Sequence, residues 1–178
     1  MITGKTFSFP DKRKPVNERI IEIWKELFKP QRHKDSEIFS MRSVAPWLMI
    51  MKTIIIMGST SDEPHAKKIT DKLDEYGIAW EQHAASAHKQ PLKVLDILTA
   101  NKDEKDIVYI TLAGRSNALS GFVAANSDSP TLACPPFKNK TDMLVNIHST
   151  LQMPSNTPVL TVLDPGNCAL AVKRILGE

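Results

Sequence analysis

Cysteine is scarce in this chain: only Cys134 and Cys168 stand in 178 residues, with no CxxC pair and no histidine spaced to complete a metal site. A disulfide framework and a zinc module are thereby excluded, and both cysteines read as small core residues of a protein in a reducing, cytoplasmic setting. Two familiar phosphate loops are missing as well, since neither GxxxxGK[ST] nor GxGxxG occurs. Long apolar runs are absent too. The nearest, Val44 to Met57, is interrupted by Pro46 and Lys52 and is shorter than the roughly 20 residues a membrane span requires. It also lies too far along the chain for a signal peptide, so neither a membrane segment nor targeting is expected. No repeat or low-complexity tract occurs. With 7 glycines, 12 prolines and 24% charged residues, the chain has neither excess that marks disorder, and its 42% apolar share is that of a soluble globular fold.

What charge excess exists is confined to one end. The formal net charge is +3, yet residues 1–50 hold 10 Lys/Arg against 6 Asp/Glu, whereas 51–178 hold 13 against 14. The larger part has no basic surplus with which to neutralise phosphates, so nucleic acid is not an expected partner. In the first 50 residues one amphipathic helix is expected over Asn17 to Phe28, where Ile20, Ile21, Ile23, Trp24, Leu27 and Phe28 are apolar. A Lys/Arg- and Pro-punctuated linker surrounds it. The expectation is an N-terminal extension over 1–50, partly helical or disordered, ahead of a domain over 51–178 that is self-sufficient from Met51.

From Lys52 onward, short β-branched runs alternate with amphipathic stretches. "KTIIIM" (52–57), "IAWEQH" (78–83), "DIVYITLAG" (106–114), "PTLAC" (130–134) and "PVLTVL" (158–163) read as five strands. Ala66, Ile69, Leu73 and Tyr76 recur at helical spacing before Gly77, a helix C-cap by position. Further helices are expected from Pro91, over about 116–126, near 141–152 and over 167–177. Five consecutive βα units predict an all-parallel sheet with right-handed crossovers and helices on both faces. The fold class is α/β: a doubly wound, flavodoxin-like three-layer α/β/α sandwich with a five-stranded parallel sheet. Ligands of such sheets bind outside the carboxyl ends of the strands, so the residues just after each strand carry the information.

After the first strand, Gly58 permits close backbone approach, Ser59 and Ser61 supply hydroxyls, and Asp62 precedes a helix N-terminus. The same residues suit a simple helix cap equally well. The second strand ends in "ASAHKQP", which sets Ser86, His88 and Lys89 on the ligand side. A lone loop histidine is commonly a surface residue, but beside an anion site its titration near neutrality suits proton transfer. The third strand ends in "AGRSNALSG", with Gly114, Arg115, Ser116, Asn117 and Leu119. An arginine there either turns to solvent or meets an anion. "CPPF" after the fourth strand reads as a rigid wall, with Cys134 in a simple loop. "LQMPSNTP" (151–158) reads as a linker or as a cover over a ligand. His33, His65, His83 and His148 read as structural or surface residues.

"MGSTSD", "SAHK", "AGRSNALSGF", "CPP" and "MPS" stand in the order and spacing of the aminoimidazole ribonucleotide carboxylase family, and the resemblance covers residues 52 to about 176. One branch of that family, a mutase acting on N-carboxyaminoimidazole ribonucleotide, typically has SAHR and an AGGAAHLPG loop. This chain instead resembles the branch that carboxylates aminoimidazole ribonucleotide directly with carbon dioxide, in de novo purine biosynthesis. The alternatives are the mutase and a catalytically silent nucleotide-binding paralogue. The resemblance implies a homo-oligomeric enzyme that needs no cofactor or metal. It implies proton transfer by His88, ribose phosphate binding by Gly58, Ser59, Ser61, Asp62, Ser86 and Lys89, and a pocket for base and carbon dioxide shaped by Gly114, Arg115, Ser116, Asn117 and Leu119. Lys89 and Arg115 both suit anions, and which one takes the phosphate is left open. Two departures stand out: the chain stops at "RILGE" where the family continues into a further helix, and residues 1–50 have no recognised counterpart.

Overall fold

The computed structural model describes residues 52–177; the helix expected over 17–28 and the boundary at 50/51 lie outside them. Strand β1 (Lys52–Met57) lies between β2 (Ala79–Ala84) and β3 (Ile107–Leu112), and β4 (Thr131–Ala133) and β5 (Leu160–Thr161) follow beyond β3. All pairs are parallel, in the order β2-β1-β3-β4-β5. The five-stranded sandwich expected from the alternation of patterns is the fold observed. Ile54, Ile55 and Ile56 are fully buried because β1 is an interior strand covered on both faces. Burial of such side chains contributes roughly 1.5–3 kcal/mol each.

Alternate residues feed two cores. Ile55, Met57, Val108, Ile110 and Leu112 pack with Ala66, Ile69 and Leu73 of α1 (Glu63–Tyr76) and Cys168, Ala169 and Val172 of α6 (Pro165–Leu176). On the other face Ile54, Ile56 and Tyr109 meet Val94 and Leu98 of α2 (Pro91–Ala100) and Leu119 and Val123 of α3 (Ala118–Ala125). Gly77 ends α1 at φ 72°, a left-handed conformation in which a side chain costs about 1 kcal/mol.

Most elements shift by one or two residues at their ends, and three depart from expectation in a way that has a local cause. The helix expected near 141–152 is two, α4 (Lys140–Asn146) and α5 (His148–Leu151). Side chains intercept the ladder there: Asn146 Nδ2 donates to the Asp142 carbonyl at 2.9 Å, and the Ser149 hydroxyl donates to the Asn146 carbonyl at 2.9 Å. Strand β5 shrinks to two residues at the sheet edge, since Pro158 brings no N–H to the ladder. Helix α6 starts at Pro165 rather than 167, because Asp164 caps it by accepting the Asn167 N–H at 2.8 Å and proline suits the first helical position. Among the described residues no helix is long and apolar enough to cross a membrane.

Candidate active site

The order 2-1-3-4-5 reverses direction between β1 and β3, and there, beyond their carboxyl ends, a cavity of about 680 Å³ opens. Gly58 and Ala113 line it at the strand ends, and the Gly58 N–H donates to the Leu112 carbonyl at 2.8 Å. Ser59 caps a short 3-10 turn (Thr60–Asp62): its Oγ accepts the Ser61 N–H at 3.2 Å and the Ser61 hydroxyl at 2.8 Å. The capping reading of this segment is thus met by Ser59. Ser59 spends its oxygen on the cap, whereas Asp62 makes no capping bond with its side chain and lines the cavity. Partial burial pushes the Asp62 carboxyl above its ordinary range, against the opposing pull of the Ser59 backbone, His65 and the Ser61 hydroxyl.

The segment after β2 is a tight turn. Ser86 Oγ accepts the Lys89 N–H at 3.3 Å and the Ser86 carbonyl accepts the Gln90 N–H at 2.7 Å. This closure leaves His88 and Lys89 exposed at the tip and facing the cavity.

The loop after β3 is held harder. The Pro136 carbonyl oxygen lies where a side chain on Gly114 would begin, so only glycine fits the approach. Ser116 takes a left-handed φ of 45°, a conformation that costs a non-glycine residue of order 1–3 kcal/mol and persists only under tight restraint. Asn117 supplies that restraint: Oδ1 accepts the Ser120 N–H at 3.3 Å, Nδ2 donates to Thr150 Oγ1 at 3.0 Å, and its N–H donates to Ser149 Oγ at 2.9 Å. Asn117 is buried and does not line the large cavity; it lines a smaller, adjoining pocket of about 320 Å³ with Met153 and Pro154. Gly114, Arg115, Ser116 and Leu119 line the large cavity together with Gly58, Ser61, Ser86 and the residues named above.

Arg115 stands at the mouth. Its Nη2 is 3.7 Å from Asp142 Oδ1, with the arginine side chain 73% exposed and the aspartate 15%. Asp142 is itself fixed, since Oδ1 accepts Asn146 Nδ2 at 2.9 Å and Oδ2 accepts the Lys138 N–H at 3.0 Å. Asp142 and Lys138 line the cavity beside Pro136 and Phe137 of the expected wall, and were not themselves among the residues expected to do so. They reach it because α4 returns over the mouth, which no local spacing announces. Behind the wall, Cys134 is buried as expected, but its sulfur also lies 3.5 Å from His65 Nε2. Among the described residues no group of three or more His, Cys, Asp or Glu is arranged to hold a metal ion.

A shared ligand space with an imidazole, two cations and the Asp62 carboxylate suits a small anionic substrate and a proton transfer. Comparisons with known proteins show the family. A family profile described as AIR carboxylase matches residues 52–178. The phosphoribosylaminoimidazole carboxylase of Archaeoglobus fulgidus is 49% identical over 125 residues, covering 70% of this chain and 68% of that protein. The crystal structure of Treponema denticola PurE superposes with a TM-score of 0.66 at 42% identity, covering 70% of this chain and 78% of that one. The probable multifunctional protein ADE2 of Caenorhabditis elegans is 32% identical over 178 residues and matches 92% of this chain, more than residues 52–178 make up, while 41% of its own length is covered. Part of the N-terminal segment therefore does have a counterpart, contrary to the expectation from its sequence. By the profile match and by relatives covered over more than two thirds of their length, the chain belongs to the AIR carboxylase family.

Proposed function

We propose that this chain carboxylates aminoimidazole ribonucleotide with carbon dioxide, forming carboxyaminoimidazole ribonucleotide in de novo purine biosynthesis. The observation that carries this reading is that His88, Lys89, Arg115 and Asp62 all line one cavity at the strand reversal, in a chain of this family. The aminoimidazole ring is an enamine whose C4 is nucleophilic. Attack on carbon dioxide forms the C4–carboxyl bond and moves one C=O pair onto oxygen, leaving C4 tetrahedral with its hydrogen still attached. A base must then take that proton so that the ring regains aromaticity.

His88 is the base in this reading: it lies at the tip of a turn closed by its own backbone and needs no loop movement to face the cavity. Asp62, free of capping duty, accepts from ribose hydroxyls. The hydroxyl protons of Ser59 and Ser86, whose oxygens accept within their own turns, serve the phosphate, with Ser61 lining the site beside them and Lys89 as counter-charge. Arg115, at the mouth and weakly paired with Asp142, addresses the carboxylate that forms. Holding ring and carbon dioxide together removes the entropy cost of a bimolecular encounter.

The activity is assigned to a domain over residues 51–178, within which the family profile matches 52–178, and the protein is read as a cytoplasmic homo-oligomer. Two free thiols suit a reducing compartment, and Leu144, Leu151, Leu160 and Leu163, all exposed, suit contact with a second copy. The test is turnover of purified protein with aminoimidazole ribonucleotide and bicarbonate, beside N-carboxyaminoimidazole ribonucleotide at low bicarbonate. Preference for the carbamate overturns the direct-carboxylation reading, and binding without turnover in either arm would indicate a silent paralogue.

A further inference from the structure

Asp142 is a fixed anion in the lining of a cavity whose other ionisable groups, Asp62 apart, are cationic side chains or imidazole. It lies in the first turn of α4, where Asn139 Oδ1 accepts its N–H at 2.9 Å and so caps the helix. Its own Oδ1 accepts Asn146 Nδ2 at 2.9 Å, and its Oδ2 accepts the Lys138 N–H at 3.0 Å. Both partners are neutral donors, an amide and a backbone N–H, so they orient the carboxylate without cancelling its charge. A carboxylate oxygen accepts more than one hydrogen bond, which leaves capacity on each for a ligand. The Arg115 guanidinium is 3.7 Å from Oδ1, too long for a hydrogen bond, and its side chain is largely in solvent. An exposed cation and a fixed anion therefore stand side by side at one edge of the ligand space.

We propose that Asp142 is a specificity-determining residue: once Arg115 has turned to the carboxylate forming at C4, Asp142 accepts from the amino group on C5 and excludes ligands that carry negative charge on that nitrogen. The proposal rests on the assignment of Arg115 to that carboxylate in the carboxylation of aminoimidazole ribonucleotide. Substituents on adjacent ring carbons lie side by side, and an amine next to a carboxylate brings their N and O atoms to about 3 Å. Two protein groups that read such a pair must be opposite in charge and comparably close, as Arg115 Nη2 and Asp142 Oδ1 are. The phosphate, which Asp142 would repel, is at the other end of the nucleotide, on the side of Ser59, Ser86 and Lys89. N-carboxyaminoimidazole ribonucleotide carries its carboxylate on the amino nitrogen itself. It thereby lacks one N–H donor and sets an anion against Asp142, whose side chain is largely enclosed, so that solvent screens the repulsion little. One carboxylate thus supplies both an attraction for the amine and a penalty against the carbamate.

The experiment measures, by calorimetric titration and competition, how the full chain and its Asp142→Asn variant bind three ribonucleotides. These are aminoimidazole ribonucleotide, imidazole ribonucleotide lacking the amino group, and N-carboxyaminoimidazole ribonucleotide. The wild type should bind the amine about ten-fold or more tightly than the ligand without it, since a site built to accept from an N–H rejects the analogue that lacks one. In Asp142→Asn that preference should shrink, because a neutral acceptor replaces a charged one, while affinity for the carbamate should rise about ten-fold or more as the repulsion disappears. Asp142→Ser also removes the charge, and it serves if the asparagine amide disturbs the turn at Lys138. Equal wild-type affinity for the ligands with and without the amine would overturn the proposal, and this arm needs no variant. Carbamate affinity unchanged in both variants, or a wild type that binds the carbamate as tightly as the amine, would overturn it too. The activity is judged separately: a wild type that prefers the amine in binding yet turns over nothing defeats the carboxylation reading and leaves the Asp142 contact standing.

Discussion

Arg115 and Asp142 face each other across the cavity mouth at 3.7 Å, the arginine largely in solvent and the aspartate largely enclosed. At that separation and exposure the pair contributes little to stability, within the ~0–1 kcal/mol of surface ion pairs. Its consequence is placement. Asp142 is held by Asn146 and by the Lys138 N–H, so a fixed carboxylate stands beside the guanidinium at the opening, and in the proposed reaction the guanidinium exchanges it for a substrate anion.

Replacing Arg115 by Lys should therefore not restore function, because a point charge on a flexible stem does not reproduce the planar fork that engages a carboxylate with two bonds. Asp142→Asn should leave the fold intact and shift the affinity for the anionic substrate rather than the melting temperature. Steady-state kinetics of both variants check this, and full activity in Arg115→Lys would reduce the arginine to a source of charge.

His88→Asn keeps a side chain of similar reach but removes the proton carrier. Turnover should fall by roughly two to four orders of magnitude, with substrate still bound. Calorimetric titration with aminoimidazole ribonucleotide beside a turnover assay separates binding from chemistry, and near-normal turnover would refute the role.

Gly114→Ala places a methyl group against the Pro136 carbonyl, a backbone atom that cannot step aside. We expect a stability loss of about 1–3 kcal/mol, the usual cost of overpacking, together with loss of activity as the Arg115–Leu119 loop shifts. Gly58→Ala is the control, since its added carbon meets Ala113 Cβ at 3.4 Å and the Leu112 carbonyl oxygen at 3.5 Å, both ordinary contacts. That variant should fold normally and lose affinity only if the substrate approaches this backbone. Denaturant midpoints of the two variants make the comparison.

Asp62→Asn should stabilise the protein near neutral pH while weakening substrate affinity. Burial raises the folded-state pKa of Asp62 above its ordinary value of 3.8, so ionising it costs more in the folded chain than in the unfolded one. Removing the charge relieves that cost at neutral pH, and the advantage should vanish below the ordinary carboxyl range, where both states hold the proton. Unfolding midpoints measured at both ends of that range give the check; a variant less stable near neutrality would contradict it.

Periodicity and composition along the chain determined the parallel βα sandwich, because β-branched runs such as Ile54–Ile56 have no option but burial and the helices between them are amphipathic at a fixed spacing. The same local logic placed Gly58, Ser86, His88, Lys89 and Gly114 at strand ends, where a doubly wound sheet opens to ligands. Tertiary structure alone decided the rest. Whether Ser59 or Asp62 would be left free depended on which oxygen the 3-10 turn consumed, and Asn117 was diverted from the cavity by Ser149 and Thr150, more than thirty positions away. Asp142 entered the site only because α4 folds back over the mouth, and His65 found Cys134 across 69 residues of chain. Spacing in sequence reports which face a residue occupies; it carries no record of which distant side chain will arrive to complete a hydrogen bond there, since that is settled when the layers pack.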